Sequence, residues 1–156
     1  MSTSRSVFIS YGDKTSMSIA LHLRDLILSL PFRRIDPWVA EPDIQSGQRW
    51  GMELARQLDQ AQLGVLCMTV HNKRNPWMAF EAGALAKHLD AARVIPYLID
   101  LPIEDLEDPF KQFQAVVADE QGTQRLIMQL HQLDEGTNTP ERSMRETLAR
   151  AWPEYH

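Results

Sequence analysis

The residues best placed to do chemistry lie in one stretch, Asn72-Lys-Arg-Asn-Pro-Trp-Met-Ala-Phe-Glu-Ala-Gly-Ala-Leu85. Asn75 is a good helix N-cap and Pro76 suits the first helical position. From there Trp77, Glu81, Ala84 or Leu85, and His88 recur at i, i+4, i+7/i+8 and i+11, which is one face of a helix over 75–88. That face carries a carboxylate one turn after a large aromatic ring. Glutamate is rarely buried unless it is paired or functional, so a Glu81 on so apolar a face calls for a reason. An ordinary one exists, because a carboxylate near a helix N-terminus gains ~0.3–1 kcal/mol from the macrodipole. Ala82, Gly83, Ala84 and Ala86 add little bulk, so this helix can lie close against what it covers.

Other chemistries find little support. Neither G-x-G-x-x-G nor G-x-x-x-x-G-K-[ST] occurs, and the chain has only seven glycines, so a nucleotide would have to be held without either phosphate loop. The G-x-S-x-G elbow of serine hydrolases is missing too. His22, His71, His88, His131 and His156 show no paired metal-ligand spacing. Cys67 sits inside the strongest apolar run and reads as core. What remains is one carboxylate with aromatic company: Trp77 beside it, Tyr11 in another loop, and Trp38 and Trp50 bracketing a long polar loop. Trp50 begins a helical apolar stripe and reads as core before it reads as ligand.

The elements that must position these groups follow from the apolar periodicity. Val7-Phe8-Ile9 is a short buried strand with the loop Ser10–Asp13 after it. Ile19, Leu23, Leu26 and Leu30 mark an amphipathic helix ended by Pro31. Asp36–Ala40 is a weaker strand, and the loop Glu41–Gly47 is rich in turn residues. Trp50, Leu54, Leu58 and Ala61 mark a second helix. Leu63–Val70 is a continuous apolar run, typical of a central parallel strand. Val94–Ile99 is a fourth strand in which Pro96 argues against a central place. Phe113–Val117 suits a short edge strand after an irregular acidic segment, 102–110. Helices follow from Thr123 to Leu133 and, after a turn at 136–140, through Met144, Leu148 and Trp152 to Pro153. Alternating strands and helices imply right-handed βαβ units. The expected fold is α/β, a flavodoxin-like three-layer sandwich with a five-stranded parallel sheet in the order 2-1-3-4-5 and helices on both faces. That order reverses between strands 1 and 3, and ligands bind beyond the carboxyl ends of the strands at such a point. Ser10–Asp13 and Val70–Asn75 are the loops there, which raises the standing of Glu81.

The totals fit one such domain. A chain of 156 residues, 44% hydrophobic and 24% charged, can bury about 68–70% of its unfolded surface. A net charge of −5 argues against a broad nucleic-acid footprint. The basic pair Lys73-Arg74 is short and reads as solvated. One cysteine cannot form an intramolecular disulfide, and this favours a reducing, cytoplasmic setting. The opening residues are polar and then enter a strand, so no signal peptide is expected, and no apolar run approaches the ~18–20 residues of a membrane span.

Taken in order, the motifs resemble the Toll/interleukin receptor (TIR) domain family, in particular its bacterial members. Val7-Phe8-Ile9-Ser10-Tyr11 resembles the opening strand motif. Glu41-Pro-Asp-Ile-Gln-Ser-Gly47-Gln-Arg-Trp50 resembles the loop after the second strand, with Ile44 three before the glycine and Trp50 three after it. Trp77-Met-Ala-Phe-Glu81 matches the W-x-x-x-E of members that cleave NAD+, and the following Ala-Gly-Ala-Leu is similar to bacterial immune members. The matches run over roughly residues 6–133, so residues 1–135 are expected to be the TIR domain. Residues 136–156 would be a C-terminal turn and helix, available as a link to a further domain. Two departures stand out: Gly12 and Asp13 replace the arginines that some active members place after Ser-Tyr, and the expected loop aspartate is Glu41.

The resemblance implies cleavage of the nicotinamide–ribose bond of NAD+, with Glu81 catalytic and Ser10, Tyr11, Gly12, Trp38, Asp43 and Trp77 about the substrate. It implies no cofactor, NAD+ being the substrate, and no metal. A carboxylate suits this reaction, because positive charge builds on the ribose as neutral nicotinamide departs. The leaving group needs no acid, so one carboxylate suffices. Water would trap the intermediate as ADP-ribose, an internal nucleophile as a cyclic product, and both stay open. Self-association through the Glu41–Gly47 loop, a sensor domain or partner protein and a role in anti-phage immunity are the implied context. Two rivals stand beside this reading. One is a non-catalytic adaptor acting through homotypic contacts, and the other a nucleoside deoxyribosyltransferase-like enzyme.

Overall fold

The computed structural model describes residues 4–40, 47–134 and 139–155, with 47–51 as backbone only. Strands β1 (Arg5–Ser10), β2 (Ile35–Ala40), β3 (Leu63–Met68), β4 (Val94–Leu98) and β5 (Val116–Val117) alternate with helices. These are α1 (Lys14–Ser29), α2 (Gly47–Gln60), α3 (Pro76–Ala86), α4 (Glu120–Leu133) and α5 (Glu141–Tyr155). All strand pairs are parallel and the order is β2-β1-β3-β4-β5, the flavodoxin-like order expected.

Two cores fill the two sides of the sheet. On one side Ile9, Val65, Cys67 and Tyr97 meet Leu23 and Ile27 of α1, Leu126 and Leu130 of α4, and Met144 and Leu148 of α5. On the other, Phe8, Leu66, Met68 and Leu98 meet Leu54 and Leu58 of α2 and Met78, Ala82 and Leu85 of α3. Strands β1 to β4 each feed both cores because successive side chains point to opposite faces. β3 is buried along its whole length, which its unbroken apolar run requires.

Several boundaries differ from the sequence reading, each for a local reason. β5 is only Val116–Val117, and Phe113 instead turns into the α2/α3 core. Pro96 does lie in an internal strand. It is tolerated because β5 pairs only with Tyr97 and Leu98, leaving β4 at Pro96 bound to β3 alone. Pro37 sits in β2, which is an edge strand. α3 ends at Ala86, and His88 beyond it sets its Nε2 3.2 Å from the Ala61 carbonyl. α5 continues through Pro153 to Tyr155, whose hydroxyl lies 3.0 Å from that of Tyr97, so a tertiary contact holds the last turn. Lys73 and Arg74 are not merely solvated, since both reach Glu107 (3.6 and 2.9 Å) and tie the loop before α3 to the segment after β4.

Candidate active site

α3 starts where its sequence says. The Asn75 side chain accepts from the Trp77 and Met78 amides (2.8 and 3.2 Å), and Pro76 takes the first position, where no donor is needed. The buried side of the helix is Met78, Glu81, Ala82 and Leu85. Its close approach to the sheet depends on Gly64 in β3, where a Cβ would stand 2.5 Å from Leu85 Cδ1. Gly83 has no such role, as a Cβ there would meet nothing.

Glu81 is therefore carried under the protein surface, 1% exposed. It meets Ser10, the last residue of β1, whose Oγ donates a hydrogen bond to Glu81 Oε1. Ser10 faces α3 because Phe8, two residues earlier, does so. Burial drives the Glu81 carboxyl up to about 7 from an ordinary 4.5, and the Ser10 hydroxyl pulls in the opposite direction. At neutral pH neither protonation state of this carboxyl dominates, unlike that of an ordinary surface glutamate.

The loops on either side are locked together. After β1, Asp13 caps α1 by accepting from the Ser16 amide (2.8 Å), and its other oxygen accepts from Thr69 Oγ1 at the end of β3 (2.7 Å). Burial alone would raise the Asp13 carboxyl, but the bonds from Ser16 and Thr69 outweigh it and hold it below its usual range. Buried Asn72 donates to Ser16 Oγ and the Cys67 carbonyl (both 3.1 Å) and accepts from the Thr69 amide (2.8 Å). A Cβ on Gly12 would lie 2.8 Å from Asn75 Nδ2 and 2.9 Å from Met78 Sδ, so the first loop packs against the start of α3. Asp13 was legible as part of the first loop, but its bond to Thr69 was not, and Thr69 and Asn72 are site-building residues that sequence reasoning missed. The signal for these two was composition alone, short polar residues after a strand end that converge with Asp13 at the switch point.

Ser10, Gly12 and Glu81 thus come together. Trp38 is half-buried on the same side of the sheet, tilted against Phe8 with ring centroids 5.6 Å apart. Tyr11 turns the other way, 8% exposed within the α1/α4/α5 core. Trp77 is 38% exposed and stacks on Phe80 at 5.4 Å. Both line a groove of about 290 Å³ with Leu54, Ala55, Leu58, Asp59 and Ala84. Asp43 and most of the Glu41–Gly47 loop lie outside the described residues, as does the Trp50 side chain. Burial raises the Cys67 thiol far above its usual range and keeps it unreactive. Among the described residues no cluster of three His, Cys, Asp or Glu could hold a metal ion, and no helix is long and apolar enough to cross a membrane.

Fold and site together define a doubly wound α/β domain with a buried, serine-bonded carboxylate at its topological switch point. The family model described as TIR domain matches residues 7–137, and the chain belongs to that family. No curated protein matches it. Among solved structures, it is similar to the TIR domains in the activated Roq1 resistosome that directly recognises the pathogen effector XopQ. Identity is 16%, 94% of this chain and 82% of that one are covered, and the TM-score is 0.51, a likeness of fold. A diflavin flavoprotein A3 from Nostoc sp. is 12% identical with 98% and 99% covered, at a TM-score of 0.44 that carries no argument.

Proposed function

We propose that this TIR domain is an NAD+ glycohydrolase that cleaves the nicotinamide–ribose bond, with Glu81 as the catalytic residue. The observation that carries the reading is the Glu81 carboxyl held beside Ser10 at the carboxyl end of β1, where ligands of doubly wound folds bind. The W-x-x-x-E pattern of Trp77 and Glu81, which resembles that of NAD+-cleaving members, supports it. In the reaction the C–N bond breaks with both electrons going to nicotinamide, which leaves neutral. The cationic ribose is stabilised by ionised Glu81 until water, or an internal nucleophile in a cyclising variant, adds to it. The protein itself supplies charge and position, and no cofactor takes part. The setting that fits is a bacterial anti-phage effector switched on by self-association, under the control of a sensor domain or partner.

A second reading, a non-catalytic adaptor, is favoured by one observation. At 1% exposure Glu81 is out of a substrate's reach until something uncovers it. One experiment separates the two. Purified protein is incubated with NAD+ at rising protein concentration, and free nicotinamide is measured for the wild type and Glu81→Gln. The amide keeps the shape and removes the charge, so the rate should fall by about 10²–10³, as when other electrostatic stabilisers are removed. A wild type that releases no nicotinamide even when tethered into oligomers would leave the adaptor reading.

A further inference from the structure

We propose that Ser10 is a positioning residue for Glu81: its hydroxyl holds one carboxylate oxygen and favours the ionised form that the reaction needs. The proposal rests on the reading of Glu81 as catalytic and gives Ser10 a task distinct from touching substrate.

The geometry is that of a fixed donor. Ser10 is 0% exposed and Glu81 1%, so neither group has water as its main partner. The Ser10 backbone is registered on both sides, against Ala40 of β2 and Leu66 of β3, so its hydroxyl is presented by the rigid centre of the sheet. Glu81 is held from its own side by Met78, Ala82 and Leu85, buried one turn before it, beside it and one turn after. Gly12, two residues after Ser10, packs against Met78 and fixes the distance between strand and helix.

Several charged groups on the neighbouring elements, among the described residues, have partners of their own. Asp13 of the first loop is bonded to Ser16 and Thr69, with His71 as the nearby charge acting on it. Lys73 and Arg74 of the loop before α3 are paired with Glu107. On α2, Glu53 is bonded to Arg56 and Gln57, and Asp59 lines the groove beside Trp77. After α3, His88 meets the Ala61 carbonyl. Among the described residues, burial and the Ser10 hydroxyl are the two influences on the Glu81 proton, and they oppose one another. Without the hydroxyl, burial acts alone and the ionised form becomes scarcer at neutral pH.

The test follows the Glu81 carboxyl carbon by NMR against pH in wild type, Ser10→Ala, Ser10→Thr and Ser10→Cys, with Glu81→Gln assigning the signal. In parallel, kcat and KM for NAD+ are measured from acidic to alkaline pH. A hydrogen bond to the charged form is worth about one pH unit or more. Ser10→Ala should therefore titrate about one unit higher and lose about tenfold in rate on the acidic limb, recovering at alkaline pH with KM unchanged. Ser10→Thr, which keeps the hydroxyl, should restore both, and Ser10→Cys, a weak donor, should fall between. An unchanged Glu81 titration in a folded Ser10→Ala overturns the proposal. So does a rise in KM that is equal at all pH values, which would make Ser10 a substrate contact. If Glu81→Gln keeps its activity, the catalytic reading has failed, while the NMR titration still decides whether Ser10 governs the Glu81 proton.

Discussion

Ser10 and Tyr11 are neighbours in the chain and face opposite sides of the sheet. Ser10 reaches Glu81 under α3, whereas Tyr11 is buried with the α1, α4 and α5 core. The alternation of a strand produces this division and carries it one residue past the end of β1. A ring on the α1 side is poorly placed to stack on a substrate held at Glu81. Tyr11→Leu, which keeps apolar volume and removes the ring, should leave KM for NAD+ within about twofold. Tyr11→Ala should lose stability on the scale of other large aromatic truncations in cores, about 3–5 kcal/mol. A tenfold rise in KM for a folded Tyr11→Leu would put the ring back in the site.

The buried Glu81 has a thermodynamic signature that does not depend on any substrate. Its folded value, about 7, lies above its ordinary value of 4.5. Below the lower value the carboxyl is protonated in both states and costs nothing. Between the two, the folded protein keeps a proton that the unfolded chain has released, so stability falls as pH rises. Above the upper value the full cost is in place, about 3 kcal/mol for a shift of this size. Glu81→Gln carries no such term. Urea unfolding should find the variant gaining on wild type by about that amount between acid and mildly alkaline pH, the whole gain falling between 4.5 and 7. Parallel stability curves for the two proteins would show that Glu81 is not buried in solution.

Trp77 belongs to the helix that carries Glu81 but sits at its edge. It is 38% exposed and stacked on Phe80, which is itself 55% exposed. Trp77→Ala should cost nearer the about 0.5–1.5 kcal/mol of an aromatic pair than the about 3–5 kcal/mol of a core ring. If Trp77 holds a flat ring of the substrate, Trp77→Phe should raise KM with kcat unchanged, and Phe80→Ala, which removes its support, should do the same. Wild-type constants in both variants would confine the pair to packing.

How much of this could be read beforehand depends on the range of the interaction. Local signals were legible: Asn75-Pro76 set the start of α3, the apolar run at 63–70 marked the fully buried strand, which ends at Met68, and strand–helix alternation implied the sheet order. The Ser10–Glu81 bond was not, because 71 residues separate the partners and their meeting depends on Gly64 letting α3 approach. Ser10 and Tyr11 were read as one loop with both residues about the substrate, whereas the alternation of β1, carried one residue further, sends them to opposite faces. Buried Asp134, which accepts from the Arg33 and Arg34 amides (2.8 and 2.7 Å), has no sequence signal at all. The stop expected at Pro153 did not hold: α5 runs through it to Tyr155, whose hydroxyl meets that of Tyr97.

The last prediction concerns assembly. Glu81 is 1% exposed, and among the described residues its site on one protomer combines a single carboxylate and serine with Gly12, which packs against the start of α3. A dinucleotide needs more: its diphosphate must be held, and the carboxylate must be uncovered. In the sequence the Glu41–Gly47 loop precedes α2, a helix that packs on the side of the sheet that bears Glu81, and stacking of one domain on the next through this loop is what the family resemblance implies. Head-to-tail contacts that do not close produce open arrays. If a second copy both opens and completes the site, specific activity should climb with protein concentration, or appear on tethering. Asp43→Lys should then abolish the climb while circular dichroism and melting stay those of wild type. Sedimentation and nicotinamide release measured on the same samples decide the matter. Constant specific activity over a hundredfold dilution, in a protein monomeric throughout, would mean that one chain makes the whole site and that Glu81 is uncovered by motion within it.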